Sequence, residues 1–172
     1  MIRSLLLAPA AAALLLLPAA ASAGTVGGDG ACAAAQGPAV LANIVGLKDR
    51  TGDLKLELYP ATDADFLKDD HVLLSEGKVF RRVSIAAPAA GAVALCIRAP
   101  RPGRYGLLFT HNRDGKNKFN IWNDGAGITS NARIGRGKPK VEQSFVDVGN
   151  AVTTVTIHAQ YLHGFGGFSP AS

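Results

Sequence analysis

The stretch Leu54-Lys55-Leu56-Glu57-Leu58-Tyr59 alternates leucine with polar or amphipathic side chains. A period of two sends successive side chains to opposite faces of an extended chain, so Leu54, Leu56 and Leu58 share one face and Lys55, Glu57 and Tyr59 the other. Such a segment is a strand with one face buried. Val40, Ala42 and Ile44 repeat the pattern upstream, and downstream the segments Val79 to Ala86, Ala92 to Ile97, Tyr105 to Thr110, Val141 to Val148 and Val152 to Ala159 read as further strands. Turn signals separate most of them, at Arg50-Thr51-Gly52-Asp53, Pro88 to Gly91, Pro100 to Gly103 and Gly149-Asn150. About seven short strands without a long helical period predict an all-β fold: one antiparallel β-sandwich domain, Ig-like or transthyretin-like. Its expected interior is Leu54, Leu56, Leu58, Val93, Leu95, Leu107, Phe109, Val155 and Ile157. Asp63 to Leu74, with Phe66, Leu67, Val72 and Leu73 among acids and lysines, is compatible with one short helix or with a loop capping the sandwich.

A chain of 172 residues, 48% hydrophobic and 18% charged, has the size of one domain and too much apolar content for intrinsic disorder. Arg3 precedes an apolar Leu/Ala run that ends in Ala21-Ser22-Ala23, the small-residue pattern of a signal-peptidase site. Pro9 and Pro18 interrupt that run, and no second apolar stretch approaches the ~20 residues of a membrane helix. Residues 1–23 therefore read as a signal peptide, 24–38 as a Gly/Ala-rich arm, 39–163 as the sandwich and 164–172 as a flexible tail. Cys32 as a lipidated residue is the weaker alternative, since Asp29-Gly30-Ala31 lacks the apolar residue of a lipobox.

Export to the periplasm or beyond makes the two cysteines, Cys32 and Cys96, a candidate disulfide. Such a bridge closes a loop of about 64 residues, worth about 4 kcal/mol in the chain-entropy description. Cys96 alternating with Leu95 and Ile97 also suits a buried free thiol, and the spacing is not that of a redox-active C-x-x-C pair.

The block PRPGRYGLLFTHNRDGKNKFNIWNDGAGITSNAR, Pro100 to Arg133, resembles the central signature of a secreted bacterial family, domain of unknown function 2141. A Pro-Gly-x-Tyr turn opens a strand that ends at His111, followed by an Asn/Asp/Gly-rich loop; the likeness spans roughly Val40 to His163. The resemblance implies a prealbumin-like or carboxypeptidase-regulatory-like β-sandwich and no particular reaction. Members of that family often carry a D-x-N-x-N-G run in the loop, the pattern of calcium sites. The matching positions here are Asn112, Asp114, Lys116 and Asn117, with Asn120 and Asp124 nearby as further oxygen donors. Asn112 lacks the charge of a first ligand, Lys116 brings an ammonium to the centre, and Asn117 stands where glycine eases the turn. The loop is therefore expected as an Asx-rich turn held by its own backbone, a degenerate calcium-like site without tight calcium binding.

Among His71, His111, His158 and His163 no helical zinc spacing occurs, and no serine sits in a G-x-S-x-G elbow. His111 reads as a surface or edge histidine bonded to the loop backbone. The formal charge is +5, with Arg81, Arg82, Arg98, Arg101, Arg104, Arg133, Arg136, Lys138 and Lys140 in the body. Such a surface suits an acidic envelope polymer, while 6% aromatic content is low for a nucleic-acid stacking platform. Two functions stand. One is a non-catalytic, monomeric extracytoplasmic module that binds an envelope protein, glycan or acidic polymer without a cofactor. The alternative is an enzyme whose site gathers His111, Asp114, Asp124 and Arg133 in the long loop 112–140.

Overall fold

The computed structural model describes residues 24–116 and 118–170. The signal-peptide reading of residues 1–23 lies outside them. In chain order the strands are β1 (Thr25–Gly28), β2 (Ala39–Val45), β3 (Asp53–Pro60), β4 (Arg81–Ala86), β5 (Val93–Arg98), β6 (Gly103–Asn112), β7 (Gly125–Ile128), β8 (Phe145–Val148), β9 (Val152–His158), β10 (Gln160–Leu162) and β11 (Phe168–Pro170). One helix, α1 (Asp70–Ser75), follows β3, and its first turn is capped by the Asp69 carboxylate, which accepts from the His71 and Val72 amides.

The strands form two sheets. The smaller has the order β1-β5-β2-β9; the larger runs β11-β10-β7-β6-β3-β4, with β8 pairing the first part of β6. Side chains from both sheets share one core, in which Val40, Leu95 and Ile157 of the smaller sheet meet Leu54, Leu56, Leu58, Leu107 and Phe109 of the larger. All the leucines and phenylalanines expected inside are there, and Val155 packs at the margin, partly buried.

The expected all-β class holds, with two corrections. The smaller sheet is mixed, because β1 pairs β5 and β2 pairs β9 in parallel. Alternation in sequence fixes which face a residue occupies but not the direction of its neighbour strand, so this was not legible. Eleven strands occur among the described residues in place of about seven, and the four additional ones, β1, β7, β10 and β11, are three or four residues long. The arm from Gly24 thus supplies β1, and the segment expected as a tail supplies β11, antiparallel to β10, with Phe168 buried. Val141 to Val148 is also shorter as a strand than expected, since Val141–Ser144 forms a 3-10 turn.

A second apolar cluster covers part of the larger sheet's outer face. Tyr59 meets Phe66 and Phe80 edge-on, with ring centroids 5.5 and 5.2 Å apart, and Leu73, Leu108, Ile128 and Val141 complete the group. The face that Lys55, Glu57 and Tyr59 were expected to present to solvent is therefore covered beside Tyr59. The segment after β3 and α1 folds back over it.

Two glycines explain how β7 fits between β6 and β10. A Cβ at Gly125 would overlap the Tyr161 ring, and one at Gly127 would overlap the Ile157 side chain and the His158 carbonyl. Gly125→Ala should therefore destabilise the fold by about 1–3 kcal/mol, as overpacking does, measured by urea unfolding. A change below a few tenths would mean that the ring moves aside freely.

Candidate functional site

The pleat of β6 divides the site in two. Tyr105, Leu107, Phe109 and His111 point into the core, while Leu108, Thr110 and Asn112 point to the opposite face. Register aligns Lys55 with Thr110 and Glu57 with Leu108, and sets Thr110 beside Ala126. These outward residues floor an open cleft of about 1120 Å³. Its walls come from the α1 segment, from the loop after β6, from residues 134–139 and from the turn before β11.

On the inner side, His111 is fully buried, which corrects its reading as a surface or edge residue. Its Nε2–H donates to the Thr51 carbonyl at 2.8 Å, which leaves Nδ1 to accept from the Tyr161 hydroxyl at 2.7 Å. The Tyr161 oxygen in turn accepts the Lys48 amide at 3.0 Å. This chain satisfies a buried imidazole in its neutral form and ties the 46–52 turn to β6 and β10. Burial pushes the His111 value down, against the opposing pull of the Thr51 hydrogen bond and the Asp49 charge. Below it, burial alone would raise Asp49, yet hydrogen bonds from Arg113 and Thr51 together with the Arg113 charge hold that carboxyl well below the ordinary range.

The sign for stability follows from proton counting. Between its lowered folded value and about 6.5, His111 binds a proton in the unfolded chain and not in the folded one, so stability rises with pH there. Unfolding free energy should fall on going from pH 7 to pH 5, with a slope of up to about 1.4 kcal/mol per unit from this group. Asp49, with a depressed folded value, loses its contribution only as pH falls below about 3.8, outside that interval. Urea titrations at the two pH values decide it; equal stability would show that His111 accommodates its proton.

The loop expected to resemble a calcium site is held by its own backbone. Asn112 Nδ2 donates to the Lys116 carbonyl at 2.9 Å, and Asp114 Oδ1 accepts the Lys116 amide at 3.1 Å. Asp124 accepts the Arg113 amide at 2.9 Å through Oδ1 and the Asn120 amide at 2.8 Å through Oδ2. Asn120 itself reaches Asp114 through its amide nitrogen and the Trp122 amide through its oxygen. The Lys116 ammonium stands 3.4 Å from Asp114 Oδ2. Asn117 lies outside the described residues. Of the four described candidates, Asp114, Asn120 and Asp124 turn acceptor oxygens toward amides, and Asn112 Oδ1 has no hydrogen-bond partner among the described residues.

Of the residues of the enzymatic alternative, Asp114 and Asp124 meet through Asn120, while His111 and Arg133 are engaged elsewhere. His111 faces the core, Asp124 and Asp114 brace the loop, and Arg133 donates to the Gly166 carbonyl at 2.7 Å. Two features become visible only in the fold. Trp122, Phe119, Ile121 and Phe165 line the cleft and are exposed. An ion cluster with a buried Glu57 and an exposed Arg82 also lines the cleft: Glu57 accepts from Arg82 at 2.6 Å and from the Tyr59 hydroxyl at 2.9 Å, and Arg82 reaches Asp70 at 2.9 Å. An apolar-polar alternation in β3 placed Glu57 and Tyr59 on one face, but nothing local signalled that other segments would enclose them.

The family pattern described as "Uncharacterized protein conserved in bacteria (DUF2141)" matches residues 42–156, more than half of the chain. The chain belongs to the DUF2141 family. The match runs from within β2 to within β9, so it takes in the complete floor strands β3, β6 and β7 and the loop that carries Trp122, which makes the cleft floor part of the family domain. β10 and β11, which add the last wall, follow the matched region. No curated protein and no solved structure matches the chain.

Cys32 and Cys96 form a disulfide, 5.9 Å apart at Cα. Among the described residues no helix is long and apolar enough to cross a membrane.

Proposed function

We propose that this DUF2141 protein is a non-catalytic binding module of the periplasm or cell exterior, acting as a monomer without a cofactor, and that its ligand lies in the cleft over the larger sheet. The observation that carries this reading is the cleft itself. It combines a large concave volume with exposed aromatic and aliphatic side chains and a few polar groups, as ligand sites do. At about 1120 Å³ it exceeds the ~300–1,000 Å³ of small-molecule pockets, which suits a segment of a longer envelope molecule. The bridge between Cys32 and Cys96 and the N-terminal Leu/Ala run support the extracytoplasmic setting. The shared core between two sheets supports a sandwich of the prealbumin-like kind. The engagement of Asp114, Asp124 and Glu57 with internal donors favours binding over acid–base chemistry.

Trp122 is the sole tryptophan and is 77% exposed, so it serves as both contact and reporter. Mature protein presented with an array of purified envelope glycans and peptides should bind a subset of them. Docking should shift Trp122 emission to shorter wavelength, and Trp122→Ala should weaken binding by about 2 kcal/mol, the size of an aromatic hot spot. Binding that leaves the emission unchanged and survives the substitution would place the ligand elsewhere.

A further inference from the structure

Two segregations coincide at one rim of the cleft. The first is of charge. Residues 113–140 hold seven lysines and arginines against two carboxylates, Asp114 and Asp124, both counted as charged, and that surplus of five equals the formal charge of the whole chain. Taking them from the chain's 18 basic and 13 acidic residues leaves eleven of each sign, so the remainder is neutral. Lys116, Lys118, Arg133, Arg136, Lys138 and Lys140 of this segment are exposed. On the α1 wall, by contrast, Asp69 and Asp70 keep their charges but stand with Lys68 and Arg82, and no surplus arises there.

The second is of exposed aromatic surface. Among the described residues the exposed aromatics are Phe119, Trp122 and Phe165, and Ile121 stands in the chain between the first two. All four line the cleft. Contacts within the fold tie them to the cations. The Phe119 ring lies 6.0 Å from that of Phe168, Phe168 bridges Gly135, and the neighbouring Arg136 donates through Nε to the Phe165 carbonyl at 2.5 Å. Basic side chains therefore flank both apolar prongs, Lys118 next to Phe119 in the chain and Arg136 against the backbone of Phe165.

Exposed rings flanked by lysines and arginines match an anionic lipid surface, where aromatic and aliphatic groups enter the headgroup boundary and cations attract the phosphates. Stable peripheral attachment takes both signals together. An acidic protein face fits less well, because lysine, four of the six exposed cations, is depleted in protein interfaces. Export, proposed above, brings the chain beside an envelope leaflet. We propose that the rim of Phe119, Ile121, Trp122 and Phe165, with the cations that flank it, docks the protein on a membrane leaflet that contains anionic phospholipid. This goes beyond the cleft reading and requires no ligand in the cleft.

The test uses the mature protein with vesicles of phosphatidylcholine alone and of phosphatidylcholine mixed with an equal amount of phosphatidylglycerol. The mixed vesicles should bind about tenfold or more tighter than the neutral ones, an advantage that added salt removes. Emission from Trp122, the sole tryptophan, should shift to shorter wavelength and be quenched by lipids brominated on the acyl chain. Phe165→Ala should weaken binding about tenfold, as withdrawal of a ring from an apolar phase does. Lys118→Gln combined with Lys138→Gln, at side chains with no ion pair among the described residues, should weaken binding to the mixed vesicles about tenfold or more, each cation near an anionic surface being worth about fivefold. These variants should keep the wild-type urea midpoint, which separates lost docking from lost fold. Equal affinity for the two vesicles, binding without acyl-chain quenching, or binding indifferent to Phe165→Ala would each overturn the proposal. So would an equal emission shift with soluble polyphosphate, which would assign the rim to a soluble polyanion. Vesicles that fail to bind would overturn the membrane contact and not the cleft reading, which the response of array ligands to Trp122→Ala decides.

Discussion

Replacing Phe109 by Ala should lower the unfolding free energy by about 3–5 kcal/mol, among the largest effects expected of any single substitution in this chain. Phe109 is fully buried at the middle of β6, the strand that pairs with β3, β7 and β8. Its ring lies in the core between the sheets, where it meets residues of both. Removing it forfeits the transfer free energy of the ring and leaves a cavity that strands pinned on both sides close only in part. Urea unfolding gives the value from the midpoint with the slope held common. A loss below about 1.5 kcal/mol would mean that the sheets collapse onto the gap, against the tight register of the larger one.

The second large effect is that of the disulfide. The bridge spans 64 positions, and its removal by reduction should cost about 4 kcal/mol if the unfolded chain gains the full loop entropy. The local consequence is as informative as the total. β1 pairs β5 only four residues before Cys32, and Ala31 and Ala39 pack against the buried Cys96. Amide exchange in β1 should therefore become fast after reduction while β3 and β6 stay protected. If β1 keeps its protection, pairing with β5 and packing against β4 suffice to hold it.

How much of this was legible depended on whether the information was local. Leu54 to Tyr59 reported its own alternation, so the strand, its core face and its partners in the interior were readable. The Gly125-Ala126-Gly127-Ile128 strand carries no alternation and is buried on both faces, so β7 reads as loop. Its glycines are explained only by Tyr161 and Ile157, which lie far along the chain. Tail residues Gly164 to Pro170 look like a linker by composition, yet Phe168 finds a place opposite Leu162.

The Asx-rich turn is legible in the loop, because Asp114 and Asn120 bond amides two residues on, a local spacing. The burial of His111 is not legible in the sequence, for a simple reason. Polar residues at a strand end are usually wet, and the buried partner that makes its burial affordable, Tyr161, lies fifty positions away. The cleft was invisible in sequence because its floor, its aromatic rim and its cations come from separate segments that only the fold assembles.

The central claim is that ligand binds on the outer face of the larger sheet. Amide chemical-shift mapping during titration with an envelope glycan or peptide that binds in the array tests it most directly. The largest shifts should fall at Lys55, Thr110, Asn112, Trp122, Ala126 and Lys138, with the indole N–H of Trp122 among them. Shifts concentrated instead on β2, β5 and β9 of the smaller sheet would contradict the account.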